Sequence, residues 1–412
     1  MLRSLATALA LLLTAGTAAQ AQAPSVLRVI PSADITELDP TRGANLVSRI
    51  YQQMVFDTLF ALDSNLIPRP MMLESHRVSD DGLTYGFTLR PGLRFHNGAP
   101  VTSRDVIATL ERWMNNTSIG GQLRTRMAGL AIVDERSFTL SLKERFGLVE
   151  FILAGPGAPT ASIMPETDAR REVGSPLPNP IGSGPFRYVP SARVAGHRAL
   201  FERNPDYPSR TEPTDGLAGA RQVRVDRVEW IVMPDATTAA NAMVTGEADL
   251  WEQVTPDLAP FLANRGITVR RLSALPSVTF VRPNFQLPPF NDARARQALA
   301  LLFDQREILD AVAGDKVPTR PCWSFTVCDG PFSTEAGAEP FRTPNLARAR
   351  ALMGEAGYRG ERLVMVATPQ LPVIAQMALV VEQRLRQIGV NVDVEMMDFS
   401  AMFPRIQTAN KP

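Results

Sequence analysis

The chain has 412 residues, 43 Lys and Arg against 42 Asp and Glu, and a formal net charge of +1. This length suggests two or three domains, and a composition of 45% hydrophobic and 21% charged residues is typical of folded chains, which excludes wholesale disorder. The balanced charge indicates neither a nucleic-acid partner nor an anionic membrane surface, and three His and two Cys leave almost no ligands for a zinc site.

The first 21 residues predict a secretory signal peptide. Arg3 is the only charged residue of this segment, an apolar stretch covers residues 5–15, and a run of small residues follows at 18–23. The apolar stretch is too short to span a bilayer, so a retained membrane helix is the weaker alternative. We expect cleavage after Ala21. Because no Cys stands near the cleavage site, we expect a periplasmic protein without a lipid anchor.

Hydrophobic periodicity predicts the elements of the first half of the chain. It indicates strands at 26–30, within 77–94 and at 138–142, and a helix at 45–60. Asn45 is a suitable N-cap for that helix. A second helix begins at Thr102, where Asp105 can complete a capping box. Residues 155–185 are dense in Gly and Pro, which indicates irregular chain and a candidate domain crossing.

Strands and helices alternate in the second half, which favours an α/β layer with parallel pairing. The expected strands are 186–189, 225–232, 362–367 and 390–396, and the expected helices are 236–245, 292–303, 345–356 and 372–388. The first of these helices should end at Gly246. Residues 282–290 contain three prolines and suggest another crossing.

Motifs for catalysis are missing from the sequence. Only His76, His96 and His197 could act as a general base, and none lies near a nucleophile elbow; H-E-x-x-H, phosphate-loop and dinucleotide motifs are also lacking. His96 stands in a turn between a strand and a helix, where a structural hydrogen bond is the stronger interpretation. We predict no enzyme activity, no cofactor and no metal site. A secreted hydrolase that depends on one of these His residues is the weakest alternative.

Cys322 and Cys328 would lie in an oxidising compartment, so we predict a disulfide between them. The bridge would close a short loop that contains Trp323 and Phe325. The alternative is that both are small buried hydrophobic side chains. A redox centre is not expected, because the spacing is C-x5-C rather than C-x-x-C.

Seven motifs follow one another along the rest of the chain. They are Leu38-Asp39-Pro40, Asp81 to Tyr85, Leu89 to Val106, Asn179 to Phe186, Gly246 to Asp249, Asn284 to Leu299, and Ala356-Gly357-Tyr358. Together they resemble the family 5 extracellular solute-binding proteins, the periplasmic receptors of ABC importers for peptides, nickel chelates and related solutes. Turn geometry explains Gly92 and Gly98, core packing explains Phe95, and helix capping explains Asp105. The motifs therefore indicate the fold directly and the ligand only indirectly.

The resemblance implies an α/β fold with two lobes of the periplasmic binding protein type (type II, cluster C-like) and an extra subdomain in lobe 1. Lobe 1 would comprise residues 22–57 and 181–277, the inserted subdomain 58–180, and an incomplete lobe 2 residues 278–412. By resemblance, the lobes close around a solute like a Venus flytrap and deliver it to an inner-membrane ABC permease. We expect a monomer that takes a small solute, above all a peptide. The alternative is a periplasmic signalling or chaperone-like module without transport.

The resemblance also suggests functional residues. The expected ligand contacts are Gly43, Ala44, Asn45, Trp251 and Trp323, and the expected hinge residues are Phe280 and Asn284. The first three align with a segment whose backbone pairs with bound peptide in family members. The two tryptophans would form aromatic walls of a cleft, although core packing is the alternative for each.

Family members continue beyond the position that matches Pro412, so the sequence resembles a member truncated at its C-terminus. The part that follows in the family carries the Asp that receives a peptide's α-amino group, and by resemblance no residue of this sequence takes that role. The sequence therefore does not identify the solute.

Overall fold

The computed structural model describes residues 24–43, 45–155, 159–172, 175, 177, 179–271, 278–313, 319–330, 332–369, 371–398, 401–402 and 405–406. The predicted signal peptide and Ala44 lie outside these ranges. The chain divides into two compact units, one that ends at Val254 and one that begins at Thr255. The lobe boundaries inferred from the sequence, with their crossing at 277/278, stay predictions.

The first unit combines two sheets with short helices. Its strands are β1 (Val26–Ile30), β2 (Phe60–Leu62), β3 (Pro68–Pro70), β4 (Leu73–Val78), β5 (Thr84–Leu89), β6 (Met127–Ile132), β7 (Ser137–Leu142), β8 (Phe186–Tyr188), β9 (Arg198–Arg203), β10 (Arg227–Ile231) and β11 (Leu250–Trp251). Its helices are α1 (Leu46–Val55), α2 (Ser103–Asn116), α3 (Ser118–Arg126), α4 (Val149–Leu153), α5 (Glu166–Ala169) and α6 (Ala236–Thr245).

The sheet that contains β1 has the strand order β11-β1-β10-β9-β8. β1 pairs in parallel with β10 and β11, whereas β9 and β8 extend the sheet antiparallel. Its core packs α1 against the strands through aromatic side chains. The ring of Phe201 lies 6.3 Å from that of Tyr51 and 4.8 Å from that of Trp230. Strands from both ends of the first unit therefore share one hydrophobic core.

A second sheet, β4-β5-β7-β6, is wholly antiparallel and has its own core. The alternation predicted within 77–94 is confirmed, because Tyr85 and Phe87 on β5 are both buried. Helix α2 packs Trp113 into this core. The capping box is also confirmed, since the Thr102 N–H donates to Asp105 Oδ2 at 2.8 Å.

Helix α1 is shorter than the predicted helix at 45–60, because it ends at Val55 and Phe56 is extended. The predicted N-cap is confirmed: Asn45 Oδ1 accepts the Ser48 N–H at 2.8 Å. Phe56 packs into the core of the β1 sheet, whereas Leu59 packs into the core of the antiparallel sheet. The backbone has to extend between them to reach both cores, which a continuing helix would prevent.

His96 links the chain after β5 to the chain before β8. Its N–H donates to Gly182 O at 2.8 Å, and its ring Nε2 donates to Gly184 O at 3.0 Å. Burial lowers the pKa of the ring to about 4, so the imidazole is neutral at neutral pH. Gly184 leaves no room for a side chain, because an added Cβ would lie 2.7 Å from Met54 O. The structural hydrogen bond predicted for His96 is confirmed.

The second unit contains α7 (Ala259–Ala263), α8 (Ala293–Ala300), α9 (Gln305–Ala313), α10 (Leu346–Glu355), α11 (Pro372–Gln387), β12 (Leu363–Ala367) and β13 (Val392–Met396). The two strands pair in parallel, as the alternation of strand and helix predicted. Leu302, Leu352 and Val381 lie in a core that α8, α10 and α11 share with β13. The helix predicted at 292–303 is shorter, since α8 ends at Ala300.

Candidate functional site

The carboxyl ends of β1, β10 and β11 meet at one edge of the five-stranded sheet, because these strands are parallel. In the pairing register, Ile30 at the end of β1 stands beside Trp251 at the end of β11. Ligands of open α/β sheets bind outside the carboxyl ends of parallel strands, where polar loops leave the buried strands. This edge, with the loop 31–45 and the bend 252–254, is the candidate site of the first unit.

A buried ion pair holds the loop 31–45 in place. Arg112 on α2 donates to Asp39 Oδ2 from Nη2 at 2.6 Å and from Nε at 3.2 Å, and the Asp39 residue is only 2% exposed. Asp39 Oδ1 accepts the N–H of Thr41 at 2.9 Å and its hydroxyl at 2.7 Å. Both carboxylate oxygens are therefore paired, which a buried charge requires. The Asp of the Leu-Asp-Pro motif thus anchors the loop to a helix 73 residues away.

Gly43 stands at the end of this loop with its backbone already hydrogen-bonded. Its N–H donates to Asp39 O at 3.4 Å, and its carbonyl accepts Gln52 Nε2 at 2.9 Å. An added Cβ would lie 2.6 Å from Ser48 Cβ, so only Gly fits here. Gly43 itself is buried, and a contact of its backbone with the solute stays a prediction. Ala44 lies outside the described residues, and Asn45 is exposed while its side chain caps α1.

Trp251 is half-buried at the sheet edge. Its side chain packs against a small cluster that contains Ile30, Ala239 and Ala248. The buried part of the Trp251 side chain packs in the core, which is the alternative role given for this residue above. The exposed part of the side chain is accessible to a ligand. Whether Trp251 contacts the solute stays a prediction.

Glu252 was not expected from the sequence and directly follows Trp251. Its N–H donates to Ile30 O at 3.0 Å, and its Oε2 accepts the Ser32 N–H at 2.7 Å. An acidic residue immediately after a strand at a sheet edge is the signal that could have identified it. Because β11 has only two residues, hydrophobic periodicity cannot reveal this strand.

Two other carboxylates near this edge accept hydrogen bonds from groups of the protein. Asp235 Oδ1 caps α6 by accepting the Thr238 N–H at 2.7 Å, and this backbone hydrogen bond lowers the pKa of the carboxyl. Asp249 accepts from the Arg28 side chain at 2.8 Å, and hydrogen bonding from Arg28 lowers its pKa too. Both groups are therefore ionised at neutral pH with their partners inside the protein.

The remaining residues predicted for the site lie in the second unit. Cys322 and Cys328 form a disulfide, and Trp323 within the bridged loop is half-buried. Gln305, the first residue of α9, holds the loop from both sides: its Oε1 accepts the Cys322 N–H at 2.7 Å and its Nε2 donates to Cys322 O at 2.8 Å. Phe325 at the tip of the loop is fully exposed.

The two residues predicted for the hinge precede α8. The Phe280 residue is 72% exposed, whereas Asn284 is half-buried and its Oδ1 accepts the Gln286 N–H at 3.0 Å. The structure thus brings Gly43, Asn45 and Trp251 into the first unit. It places the other described residues of the predicted site in the second.

None of the helices in the described part of the chain could cross a membrane, since each is too short or too polar. Within the same ranges, no group of three or more His, Cys, Asp or Glu side chains is arranged to hold a metal ion. His76 Nε2 lies 3.0 Å from Glu150 Oε1, so this ring, like that of His96, has a partner.

Comparison with known proteins gives matches over most of the chain. A family model described as "Bacterial extracellular solute-binding proteins, family 5 Middle" matches residues 68–411. A protein of Sinorhizobium fredii, named "Probable peptide ABC transporter periplasmic-binding protein y4tO", is 34% identical over 376 residues, which are 90% of this chain and 70% of that protein. The glutathione-binding protein GsiB of Salmonella typhimurium is 28% identical over 391 residues, or 90% of this chain and 69% of GsiB.

Solved structures with the same fold include two binding proteins with their ligands. AgaA of A. tumefaciens R10, in complex with agropinic acid, superposes with a TM-score of 0.78 at 22% identity over 93% of this chain and 75% of AgaA. DppA of Helicobacter pylori, in complex with the peptide STSA, superposes with a TM-score of 0.71 at 19% identity over 92% of this chain and 75% of DppA. At these identities the structures establish the fold, which is that of two-lobe periplasmic binding proteins.

Proposed function

The chain belongs to the family 5 bacterial extracellular solute-binding proteins, and from this membership we propose that it is the periplasmic solute-binding component of an ABC importer for peptides. The observation that carries the proposal is the 34% identity to a probable peptide-binding component of such a transporter. The peptide STSA bound by DppA, which shares the fold, also supports a peptide-like solute. The protein binds its solute without altering it and passes it to an inner-membrane permease.

The proposed mechanism is closure of two lobes around the solute. A ligand that contacts both lobes binds the closed state more tightly and therefore shifts the population toward it. Trp251 and the Gly43–Asn45 segment would contact the solute from lobe 1 and Trp323 from lobe 2, while Phe280 and Asn284 would take up the hinge motion. The protein would act as a monomer, exported through the signal peptide at its N-terminus and cleaved after Ala21.

Binding should raise stability by mass action. A solute present at 100 times its dissociation constant stabilises the folded state by about 2.7 kcal/mol. We would measure thermal unfolding of the full chain with the peptide Ser-Thr-Ser-Ala, glutathione, agropinic acid and a library of di- and tripeptides. We expect peptides to raise the midpoint. A protein that no peptide stabilises, under conditions where it unfolds cooperatively, would contradict the proposal.

The ligand contact at Trp251 can be tested with the best peptide from that screen. Trp251→Ala should weaken binding in isothermal titration calorimetry, because the exposed part of the indole would lose its contact with the solute. Trp230→Phe, a conservative change within the core of the same sheet, is the control for general effects on the fold. An affinity that Trp251→Ala leaves unchanged would remove Trp251 from the site.

A further inference from the structure

We propose that the carboxylate of Glu252 is a subsite for an ammonium group of the solute, a role that rests on the solute-binding function proposed above. Glu252 lies at the carboxyl end of β11, on the sheet edge that forms the candidate site. Its backbone N–H and its Oε2 are both hydrogen-bonded, to Ile30 O and to Ser32 N. These two hydrogen bonds hold the backbone and one carboxylate oxygen of Glu252 at the end of β11.

The second oxygen of this carboxylate, Oε1, is shielded from solvent and has no hydrogen-bond partner among the residues that the structure describes. Buried polar groups are almost always paired, and an unpaired charged acceptor costs more than a neutral one. A donor that reaches Oε1 would remove this penalty. If that donor carries a positive charge, it also gains a charge-assisted hydrogen bond.

The charge of Glu252 also has no ion-pair partner within the described part of the chain, unlike the charges of three carboxylates on or beside the same sheet. The compensated carboxylates of this sheet are Asp249, 2.8 Å from Arg28, Glu229, 3.3 Å from Arg198, and Glu202, 2.9 Å from Arg227. The chain has 43 basic residues for 42 acidic ones, so partners are plentiful. A carboxylate without such a partner at a ligand-binding edge favours a cation from outside the chain.

The geometry selects an ammonium group among cations. A guanidinium pairs best with both oxygens of a carboxylate, but Oε2 is already engaged by Ser32 N. A divalent metal ion needs several oxygen ligands, and Glu252 offers one free oxygen. An ammonium needs one strong acceptor and completes its bonds with carbonyls or water. Its source is the N-terminus of a peptide or the side chain of a lysine.

Access to Oε1 requires a small movement. Ser32 and Gln253, which flank the carboxylate, are both exposed. The proposed subsite requires a displacement of the bend after β11 that brings Oε1 to the surface. Binding of the ammonium is coupled to that displacement.

The test is calorimetric titration of the full chain with Ala-Ala-Ala, its N-acetylated form, and N-acetyl-Ala-Lys-Ala. Glu252→Gln keeps the size of the side chain and removes its charge; Glu229→Gln removes a paired carboxylate from the same sheet and is the control. We expect acetylation to weaken Ala-Ala-Ala binding to the native protein by at least about tenfold, the cost of one charge-assisted bond. Glu252→Gln should weaken Ala-Ala-Ala to the same extent and abolish the effect of acetylation. The control should match the native protein.

The lysine peptide distinguishes the two sources of the ammonium. If it binds as tightly as Ala-Ala-Ala and loses affinity in Glu252→Gln, the subsite takes a side-chain ammonium; if it binds as weakly as the acetylated peptide, the subsite takes the N-terminus. Equal affinity of the native protein and Glu252→Gln for both Ala-Ala-Ala and the lysine peptide would overturn the subsite while leaving peptide binding intact.

Native protein that binds no peptide would instead overturn the proposed function. Urea unfolding without ligand then tests the carboxylate by itself. An uncompensated charge predicts a midpoint for Glu252→Gln equal to or above the native one, and a lower midpoint would assign Glu252 a purely structural role.

Discussion

Acid should weaken the first unit through His96. The imidazole is neutral in the folded protein because burial outweighs the favourable hydrogen bond that its Nε2 makes with Gly184 O. Protonation would place a charge in a site built for a neutral ring, next to Arg187, which also lowers the pKa. The His96 ring is therefore harder to protonate in the folded protein than in the unfolded chain.

The size of the effect follows from the pKa. The pKa falls from an ordinary 6.5 to about 4 in the folded protein. At about 1.36 kcal/mol per pKa unit, this difference of about 2.5 units corresponds to about 3 kcal/mol. Because the folded-state pKa is the lower one, this stability is fully present above pH 6.5 and is lost as the pH falls from 6.5 to about 4.

The assay compares the native protein with His96→Gln. A glutamine amide can donate to Gly184 O without titrating. We would measure urea unfolding by circular dichroism at about pH 7 and about pH 4, the two ends of the titration. The other titrating groups contribute equally to both proteins, so their effect drops out of the difference in unfolding free energy between native protein and variant. This difference should fall by about 3 kcal/mol between the two pH values.

His197 provides a matched control because it is exposed. His197→Gln is therefore measured in parallel, as a control for the exchange of an imidazole for an amide. If His96→Gln and the native protein lose stability in parallel on acidification, burial of a neutral imidazole is not a source of acid sensitivity and the reasoning fails.

Three further changes test the contacts that hold each unit. Arg112→Met should cost about 3–5 kcal/mol in urea unfolding, because it leaves a buried carboxylate unpaired; a loss below about 1 kcal/mol would contradict a buried pair. Gly184→Ala should lower the melting temperature more than Gly86→Ala, since a Cβ meets backbone only at the first position. Replacing Cys322 and Cys328 with Ala should cost about 2 kcal/mol in calorimetric unfolding, through the lost loop constraint; an unchanged melting profile would refute it.

Helix caps and helix ends could be predicted from the sequence where they depend on residues a few positions apart. The caps at Asn45 and Thr102 depend on side chains that reach backbone three positions away, and both are present. Gly246, predicted to end a helix, has the left-handed φ of 75° that favours glycine. The parallel pairing of β12 with β13 was also predictable, because the order strand, helix, strand favours it.

Contacts between distant segments were not predictable in this way. The sequence does not indicate that Asp39 pairs with Arg112, because the two are 73 positions apart. Either residue would be equally compatible with a position on the surface. The end of α1 was misplaced for a related reason. Apolar residues continue at helical spacing to Phe60, but Val55 and Phe60 belong to different cores. Periodicity indicates that a residue is buried without indicating in which core.

The residues that carry the family resemblance serve mainly as joints of the fold. Asp39 ties a loop to α2, His96 ties the chain after β5 to the chain before β8, and Asp105 caps a helix. Such joints are needed whatever solute is bound, so they identify the family and not the ligand. If the sheet edge is the ligand site, as we propose, selectivity comes from side chains there that do not hold the fold together. Glu252 is the residue that we propose for this role, because its Oε1 has no hydrogen-bond partner within the described chain.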